Sequence, residues 1–342
     1  MDETNRGKRT RLGVGGIETT ERKRTPTRPP PAALEVGTIV LERYRVEAEL
    51  GAGAMGVVYR ASHTKLNRQV ALKVMHEHLM HEPALMARFQ REAKVAARLA
   101  HPNVAAVLDV GETEDRKQVM VLELVEGKSL DKIMDEFPLE TGRIVRFVAH
   151  LLRGLDHAHA MGLVHRDLKP DNVIVERDAS GVETARIVDF GIAALVEKDG
   201  TIEKLTGTGM IVGTPLYMAP EQARAEPVDH RADLYALGIM LYEMLSGTSP
   251  FEGTAMEVAV AKMDKDPPPI SVRAPDVKID RVLEAFMAKL IARKPDQRFA
   301  TARDALDVIE TYRHDRDAAA ALLGVIDTER ALAVVWLPDP PR

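Results

Sequence analysis

Residues 165–172 bring the groups that a phosphoryl transfer needs onto one short stretch of chain, which reads His-Arg-Asp-Leu-Lys-Pro-Asp-Asn. Asp167 can orient an attacking hydroxyl and accept its proton, Lys169 can hold charge on the transferring phosphate, and Asn172 can bind a divalent metal ion. Pro170 stiffens the loop and keeps these side chains close to one another. The alternative is a polar surface loop with locally paired charges, because a single motif can mislead.

A glycine-rich turn stands earlier in the chain, between two segments with strand-like patterns. Residues 44–50 alternate in polarity, residues 51–56 read Gly-Ala-Gly-Ala-Met-Gly, and residues 57–60 lead back as a second strand. The glycines therefore cap a hairpin, whereas a dinucleotide-binding fold would place them between a strand and a helix. Small residues here would let backbone amides approach phosphate oxygens, although a plain glycine turn explains the pattern equally well.

Two opposite charges lie on the next predicted elements. Lys73 lies within the strand-like run 69–75, and Glu92 lies among apolar residues of a helical segment, 83–99. A lysine in such a strand is either a gatekeeper at a sheet edge or a buried phosphate ligand. The two charges together indicate a partly buried ion pair. Removing such a pair from water costs free energy, so a functional role is the reason to expect it. An ordinary surface salt bridge is the alternative for each charge.

The pattern that follows predicts a hinge and then a helical region. Strands are expected at 106–110 and 118–123, and Gly127 follows as a pivot. Apolar residues at three- and four-residue intervals then predict a long buried helix through 144–155, which leads into the 165–172 loop. The predicted fold class is therefore α+β, with a small β-rich lobe that has one main helix, a larger mainly α-helical lobe, and a ligand cleft between them.

A second oxygen donor follows the loop. Residues 172–175 and 185–188 form a predicted hairpin that ends at Asp189. Oxygen donors from two loops, here Asn172 and Asp189, suit Mg²⁺, which keeps several waters and takes its remaining ligands from substrate phosphates.

Composition limits the remaining function classes. The 342 residues are 45% hydrophobic, which is ample for a core, and the net charge of −5 gives no overall bias towards nucleic acid. The absence of cysteine excludes a disulfide framework and a zinc–cysteine site. No uncharged apolar run approaches the ~20 residues that span a bilayer. We therefore expect a soluble, cytoplasmic protein with no membrane span and no nucleic-acid partner.

Both ends of the chain differ in composition from the middle. Residues 1–40 are basic and rich in threonine and proline, which predicts a disordered tail. The alternative is a segment that is phosphorylated or that docks partners such as a phosphothreonine-binding protein. Residues 313–342 form a C-terminal tail, in which an extra helix at 318–323 and an apolar strip at 334–337 are expected. Packing of this tail on the protein's own surface is favoured over docking of a partner.

The order and spacing of these motifs over residues 43–312 resemble a protein serine/threonine kinase, most closely the eukaryotic-like (Hanks-type) kinases of bacteria. The resemblance implies an N-lobe at 43–125, a C-lobe at 126–312 and an ATP cleft between them. It also implies ATP and Mg²⁺ as cofactors, with Mn²⁺ as a substitute, and Ser/Thr hydroxyls of proteins as acceptors in signal transduction. Lys169, two residues after Asp167, matches the serine/threonine branch.

The same resemblance implies a role for each site residue. Asp167 would be the catalytic base, and Lys73 would hold the α and β phosphates while paired to Glu92. Leu122 would be the gatekeeper beside adenine, and the backbones of Glu123 and Val125 would bond the base. The nucleotide would be surrounded by Leu50, Gly51, Ala52, Gly53, Ala54, Met55, Gly56, Val57, Val58, Ala71, Lys73, Leu122, Glu123 and Val125. Lys169 and Asn172 complete the catalytic set, Asn172 and Asp189 would bind Mg²⁺, Glu221 would anchor to Arg298, and Asp233 would brace the catalytic loop.

Regulation is implied by Arg166, which directly precedes Asp167. In the family this adjacency marks activation by phosphorylation of the segment at 192–218. Thr206 and Thr208 are predicted sites of trans-autophosphorylation, which requires a transient homodimer.

Two other function classes fit less well. A kinase-like small-molecule phosphotransferase would share the base and metal ligands but would need neither the long segment 192–218 nor the sequence Ala-Pro-Glu at 219–221. An ATP-binding scaffold would not need Lys73, Asp167 and Asp189 together.

Overall fold

The computed structural model describes residues 34–53, 56–77, 83–190 and 215–325. All of them belong to one compact unit, which begins at Leu34. The predicted α+β class is confirmed: a β-rich lobe precedes a mainly helical lobe.

An antiparallel six-stranded sheet with the order β1-β2-β3-β4-β6-β5 forms the first lobe. Its strands are β1 (Ile39–Val40), β2 (Tyr44–Gly53), β3 (Gly56–His63), β4 (Gln69–Met75), β5 (Val107–Glu112) and β6 (Gln118–Glu123). The helix α1 (Pro83–Ala96) packs on one face. The predicted glycine hairpin is present, with Gly53 opposite Gly56. A methyl group at Gly56 would lie 2.2 Å from the carbonyl oxygen of Val74, so the turn approaches β4 too closely for any other residue.

Strand β4 is buried on both faces. Val70, Leu72 and Val74 pack with residues of β2, β3 and β6 on the outer face. Ala71 and Met75 pack against α1 on the inner face, and strand alternation places Lys73 on that same face. A lysine within this strand therefore faces the cleft side of the lobe.

Two predicted boundaries differ from the structure. The tail expected to reach residue 40 ends earlier, because Ile39 and Val40 pair with β2 and Val40 is buried in the core. The helix expected to reach residue 99 ends at Ala96, where the chain turns before Leu99.

The second lobe is built around two long helices. They are α3 (Thr141–Ala160) and α5 (Arg231–Ser246), and α5 is buried on all sides. The smaller helices are α2 (Leu130–Met134), α4 (Pro220–Ala223), α6 (Ala255–Asp264), α7 (Ile270–Arg273), α8 (Arg281–Leu290), α9 (Ala302–His314) and α10 (Arg316–Leu323). A three-stranded sheet of β7 (Lys128–Ser129), β8 (Val173–Arg177) and β9 (Glu183–Ile187) completes this lobe, with residues 165–172 directly before β8 and Asp189 shortly after β9.

The connection between the lobes passes through Gly127. A methyl group there would lie 2.2 Å from the carbonyl oxygen of Val175, so glycine allows the chain to cross close to β8. The glycine predicted as a pivot thus lies where the two lobes join.

The C-terminal helix is present as expected. Ala319 and Ala320 of α10 are buried against Val282 and Tyr312, so this helix packs on the protein's own surface. The apolar strip predicted at 334–337 lies outside the described residues. No helix in the described ranges is long and apolar enough to cross a membrane.

Candidate active site

A buried carboxylate of the helical lobe holds the loop at 165–172, which the resemblance implies is the catalytic loop. Asp233, in the first turn of α5, accepts hydrogen bonds from the backbone nitrogens of His165 and Arg166, both at 2.8 Å. The Nε2 of His159 lies 2.8 Å from the same carboxylate. Burial raises the pKa of Asp233, but the hydrogen bonds and charges of His159 and His165 together outweigh that effect and leave the pKa below its usual value. Asp233 is therefore an acceptor for the loop backbone, as the resemblance implied.

Two residues of the site have left-handed backbone conformations. They are Arg166, with φ 63°, and Asp189, with φ 64°. Residues other than glycine rarely adopt this conformation, and it persists only where the surroundings fix it. The backbone nitrogen of Val188 donates to the carbonyl of Asn172 at 2.9 Å, which brings the two loops together.

The three groups of the loop itself lie as the sequence predicted. Lys169 Nζ donates to Asp167 Oδ2 at 2.7 Å, and Asn172 Nδ2 donates to the carbonyl oxygen of Asp167 at 2.8 Å. The side chain of Asp167 is 44% exposed, so a hydroxyl can reach it. A one-turn 3₁₀ helix, Pro170–Asn172, sets the spacing between the lysine and the amide.

The cation of the β-rich lobe meets the second carboxylate of the site. Lys73 Nζ lies 2.6 Å from Oδ1 and 2.5 Å from Oδ2 of Asp189. The Lys73 side chain is 7% exposed and that of Asp189 is 28% exposed, so the lysine is largely removed from water while the carboxylate is partly open to it. Within the described residues, no ion pair joins Lys73 to Glu92, which lies half-buried on α1. The implied Lys73–Glu92 pairing is thus replaced here by a pair across the cleft.

An apolar wall lies beside this ion pair. Ala71 and Leu122 are paired across β4 and β6, and both belong to one buried cluster, against which Val58 packs. Val57 points to the opposite face of β3 and packs with the outer cluster. The predicted gatekeeper and two of its neighbours therefore come together, while the side chain of Val57 does not.

The remaining predicted nucleotide contacts lie along the edge of this wall. Leu50, Gly51, Ala52 and Gly53 are exposed on β2. A methyl group at Gly51 would meet nothing within 4 Å, so packing among the described residues does not require this glycine. Small residues there leave room for a ligand to approach the backbone amides. Ala54 and Met55 lie outside the described residues, as do Thr206 and Thr208.

Glu123, which ends β6, is fixed through its side chain. Arg186 of β9 donates to both of its carboxylate oxygens, at 3.1 and 2.6 Å. The same guanidinium donates to the carbonyl of Val104 and to Glu176. Arg186 therefore ties the segment between the lobes to the strand that leads to Asp189. The sequence did not reveal this role, because a charged residue at that position of an alternating strand also fits a solvated face.

A buried ion pair supports the end of the segment at 219–221. Arg298 donates to Glu221 at 2.7 and 2.8 Å, and both side chains are almost fully buried. The next residue, Gln222, donates through Nε2 to the carbonyl oxygen of Arg166 at 2.8 Å. The Glu221–Arg298 pair was implied by the resemblance, whereas no pattern in the sequence pointed to Gln222.

Two residues of the site carry oxygen atoms of the kind that bind a metal ion, although Lys73 bonds both oxygens of Asp189 in this structure. No group of three or more His, Asp or Glu side chains that could hold a metal occurs in the part of the chain that the structure describes. Asn172 uses its Nδ2 on the backbone of Asp167, so its amide oxygen is the atom suited to a cation. Asn172 and Asp189 thus fit an ion such as Mg²⁺, which needs few protein ligands.

The comparison with protein families agrees with this geometry. The protein kinase domain model matches residues 44–308. The chain therefore belongs to the protein kinase family.

Relatives that are named serine/threonine-protein kinases resemble this chain over most of its length. The chain is 40% identical over 289 residues to serine/threonine-protein kinase pkn3 of Myxococcus xanthus, covering 83% of this chain and 53% of that protein. It is 37% identical over 295 residues to serine/threonine-protein kinase PknB of Mycolicibacterium smegmatis, covering 84% and 46%. The chain thus spans about half the length of these two relatives. The crystal structure of the Mycobacterium tuberculosis PknI kinase domain matches with a TM-score of 0.63 and 31% identity, over 81% of this chain and 99% of that one.

Proposed function

We propose that the protein is a serine/threonine protein kinase that transfers the γ-phosphate of ATP to Ser or Thr hydroxyls of proteins. One observation carries this proposal. Asp167, with Lys169 at 2.7 Å, stands on a loop fixed by Asp233, and the Lys73–Asp189 pair lies beside that loop. Kinase-family membership and relatives that are serine/threonine kinases support the same class.

Asp167 acts as the base in this proposal. Its Oδ2 is held by Lys169, so Oδ1, which has no hydrogen bond within the described residues, accepts the proton of the acceptor hydroxyl. The hydroxyl oxygen forms a bond to the γ-phosphorus while the bond to the β-phosphate oxygen breaks, and ADP leaves with that electron pair. Lys169 stabilises the charge on the transferring group.

Lys73 would hold the α and β phosphates of bound ATP, and Asn172 and Asp189 would hold Mg²⁺, in place of the present Lys73–Asp189 pair. When bound, the ion would supply positive charge that neutralises the phosphate oxygens. Val58, Ala71 and Leu122 provide an apolar surface of the kind that receives a planar base. The backbones of Glu123 and Val125 bond its edge, and the side-chain clamp of Arg186 on Glu123 keeps that backbone in place.

Regulation through Thr206 and Thr208 belongs to the same proposal. A phosphothreonine supplies about −1.5 to −2 charges, which suit the guanidinium of Arg166. Transfer between two copies in a transient homodimer would install it. The tail at 1–33 offers basic residues and threonines for docking partners.

The test is transfer from labelled ATP. Purified protein is incubated with ATP and Mg²⁺, alone and with cell extract, and phosphosites are mapped by mass spectrometry. Asp167→Asn should bind ATP as the parent does and lose roughly a hundredfold or more in turnover. Asp171→Asn is the matched control, because Asp171 is exposed on the same loop. Equal labelling by the Asp167→Asn and parent proteins would refute the assignment of the base.

A further inference from the structure

The side chain of Lys262 lies buried in the helical lobe, away from the proposed site of phosphoryl transfer. It lies on α6 with 1% exposure, and its Nζ donates to the carbonyl oxygens of Leu216 and Met218, the latter at 2.9 Å. The Nζ also lies 5.1 Å from the ring centroid of Tyr235. No ion pair involves Lys262 in the described ranges, and burial lowers its pKa well below the usual value, with Glu243 opposing and Arg298 adding to that effect.

A buried lysine without a carboxylate partner is expensive, so its contacts need a reason. Both of its acceptors are backbone carbonyls of one short segment, 215–219. The neighbouring Tyr217 donates its hydroxyl to Glu243 at 2.6 Å. Even a neutral lysine amine keeps two N–H donors, enough for both carbonyls. Lys262 therefore fixes the path of a backbone in either protonation state.

Reciprocal bonds strengthen the link between α6 and this region. Arg224, directly after α4, donates to the carbonyl oxygen of Met263 on α6. Lys262 donates in the other direction, from α6 to the segment that precedes α4. The stretch from 215 to 224 and α6 are thus joined by side-chain donors from both partners.

The same segment is connected to the catalytic loop. The backbone nitrogen of Ala219 donates to Gln222 Oε1 at 3.0 Å, and Gln222 Nε2 donates to the carbonyl oxygen of Arg166 at 2.8 Å. Arg166 directly precedes Asp167. Hydrogen bonds and a short stretch of backbone therefore lead from Lys262 to the residue beside the proposed base.

We propose that Lys262 is a positioning residue for the protein substrate, holding the backbone of 215–219 as the surface on which the acceptor chain lies. This inference rests on the proposed kinase function. A hydroxyl that belongs to a polypeptide brings flanking residues to Asp167, and the backbone of 215–219 is linked through the side chain of Gln222 to Arg166, the residue before Asp167. ATP is expected to bind beside β4 and β6, so losing the lysine should affect the peptide and spare the nucleotide.

Lys262→Met tests this, because methionine has a similar length and no donor. The acceptor is a peptide library with one fixed central threonine, and assays run well below the melting temperature of each variant. We expect the apparent KM for peptide to rise about tenfold with the KM for ATP unchanged, and the residue preferences around the threonine to weaken. Lys262→Gln, whose amide can still donate a hydrogen bond, should have a peptide KM between those of the parent and Lys262→Met. Lys265→Met, an exposed lysine at the end of the same helix, is the matched control.

Each outcome separates this inference from the proposed function. Failure of the parent protein to label any peptide would remove both. If the parent labels peptides and Lys262→Met keeps the same peptide KM and preferences, the inference alone is wrong. Equal rises in the KM for peptide and for ATP would show a general structural role and would also overturn it. If Lys262→Met does not fold, the KM for peptide and the KM for ATP of Lys262→Gln decide instead: a rise in the peptide KM alone supports the inference, and no change or equal rises overturn it.

Discussion

The substitution Asp233→Asn changes one oxygen of a buried carboxylate into an NH₂ group and keeps the side-chain shape. In the parent, Oδ1 accepts from the nitrogen of Arg166 and Oδ2 accepts from the nitrogen of His165 and from His159, all at 2.8 Å. An asparagine can present only one oxygen. Whichever way it turns, an N–H group of the side chain then faces an N–H group of the loop.

The magnitude follows from these contacts. A hydrogen bond to a charged group contributes about 1.5–3 kcal/mol, so losing one should reduce the free energy of unfolding by a similar amount. The left-handed conformation of Arg166 itself costs on the order of 1–3 kcal/mol and needs external support. Without that support the loop can relax, and a displacement of about 1 Å at a reacting group reduces turnover on the order of a hundredfold.

Urea unfolding, turnover and ATP affinity should therefore respond differently. We expect Asp233→Asn to lose about 1.5–3 kcal/mol of unfolding free energy and on the order of a hundredfold in kcat, with the Kd for ATP nearly unchanged. Asp229→Asn is the matched control, since Asp229 lies just before the same helix, its side chain is 44% exposed, and it bonds Arg231, the first residue of that helix. If Asp233→Asn shows the whole predicted loss of unfolding free energy but keeps parental turnover, the reasoning is refuted, because the loop would then hold its conformation without the Asp233 carboxylate.

Three further predictions concern metal, regulation and pH. Asp189→Ala should abolish Mg²⁺-dependent transfer in a metal titration, and full parental activity in excess chelator would contradict the role of the metal. The double variant Thr206→Ala, Thr208→Ala should bind ATP but phosphorylate an added peptide far more slowly; a phosphosite map with neither residue modified would contradict this switch. Burial and nearby arginines lower the pKa of His150 to about 4, whereas the same histidine in the unfolded chain has a pKa of about 6.5. Neutral, buried His150 therefore leaves the folding stability undiminished above about pH 6.5, and stability is lost as the pH falls towards 4 because the unfolded state binds the proton first. With His150→Gln, the urea midpoint should fall less steeply over this pH range. An unchanged pH profile would contradict it.

Elements with strong local patterns were predictable from the sequence. The hairpin around the glycine turn, strand β4 and the helix α3 follow from alternation, β-branched residues and three- and four-residue spacing. The end of α1 was less accessible, because residues 97–99 continue the apolar pattern while the chain already turns. The start of the sheet was missed since Ile39 and Val40 form only a two-residue strand that depends on its partner β2.

Side-chain partners far apart in sequence could not be predicted from local pattern. Gln222 and Arg186 bond groups 56 and 63 residues away, and nothing in their own segments marks them. Lys262 had a usable signal, because Val258 and Ala259 lie four and three residues before it on the buried side of α6. A lysine in line with two buried apolar residues indicates burial of its own side chain.

The Lys73–Asp189 pair shows why the implied roles of these two residues depend on each other. An ammonium group has three N–H donors, and two of those of Lys73 go to the oxygens of Asp189. Lys73 cannot hold two phosphates in this arrangement, and Asp189 cannot give its oxygens fully to a metal ion. A polyphosphate would give Lys73 negative charges in place of Asp189, and a metal ion would give Asp189 a positive charge in place of Lys73. Binding the two together therefore replaces the Lys73–Asp189 pair by two new pairs of opposite charge, so little electrostatic energy is lost. Binding ATP without metal would instead leave the carboxylate of Asp189 beside phosphate oxygens, which repel it. ATP affinity should therefore depend on the metal ion in the parent protein and depend on it much less once Asp189 is alanine.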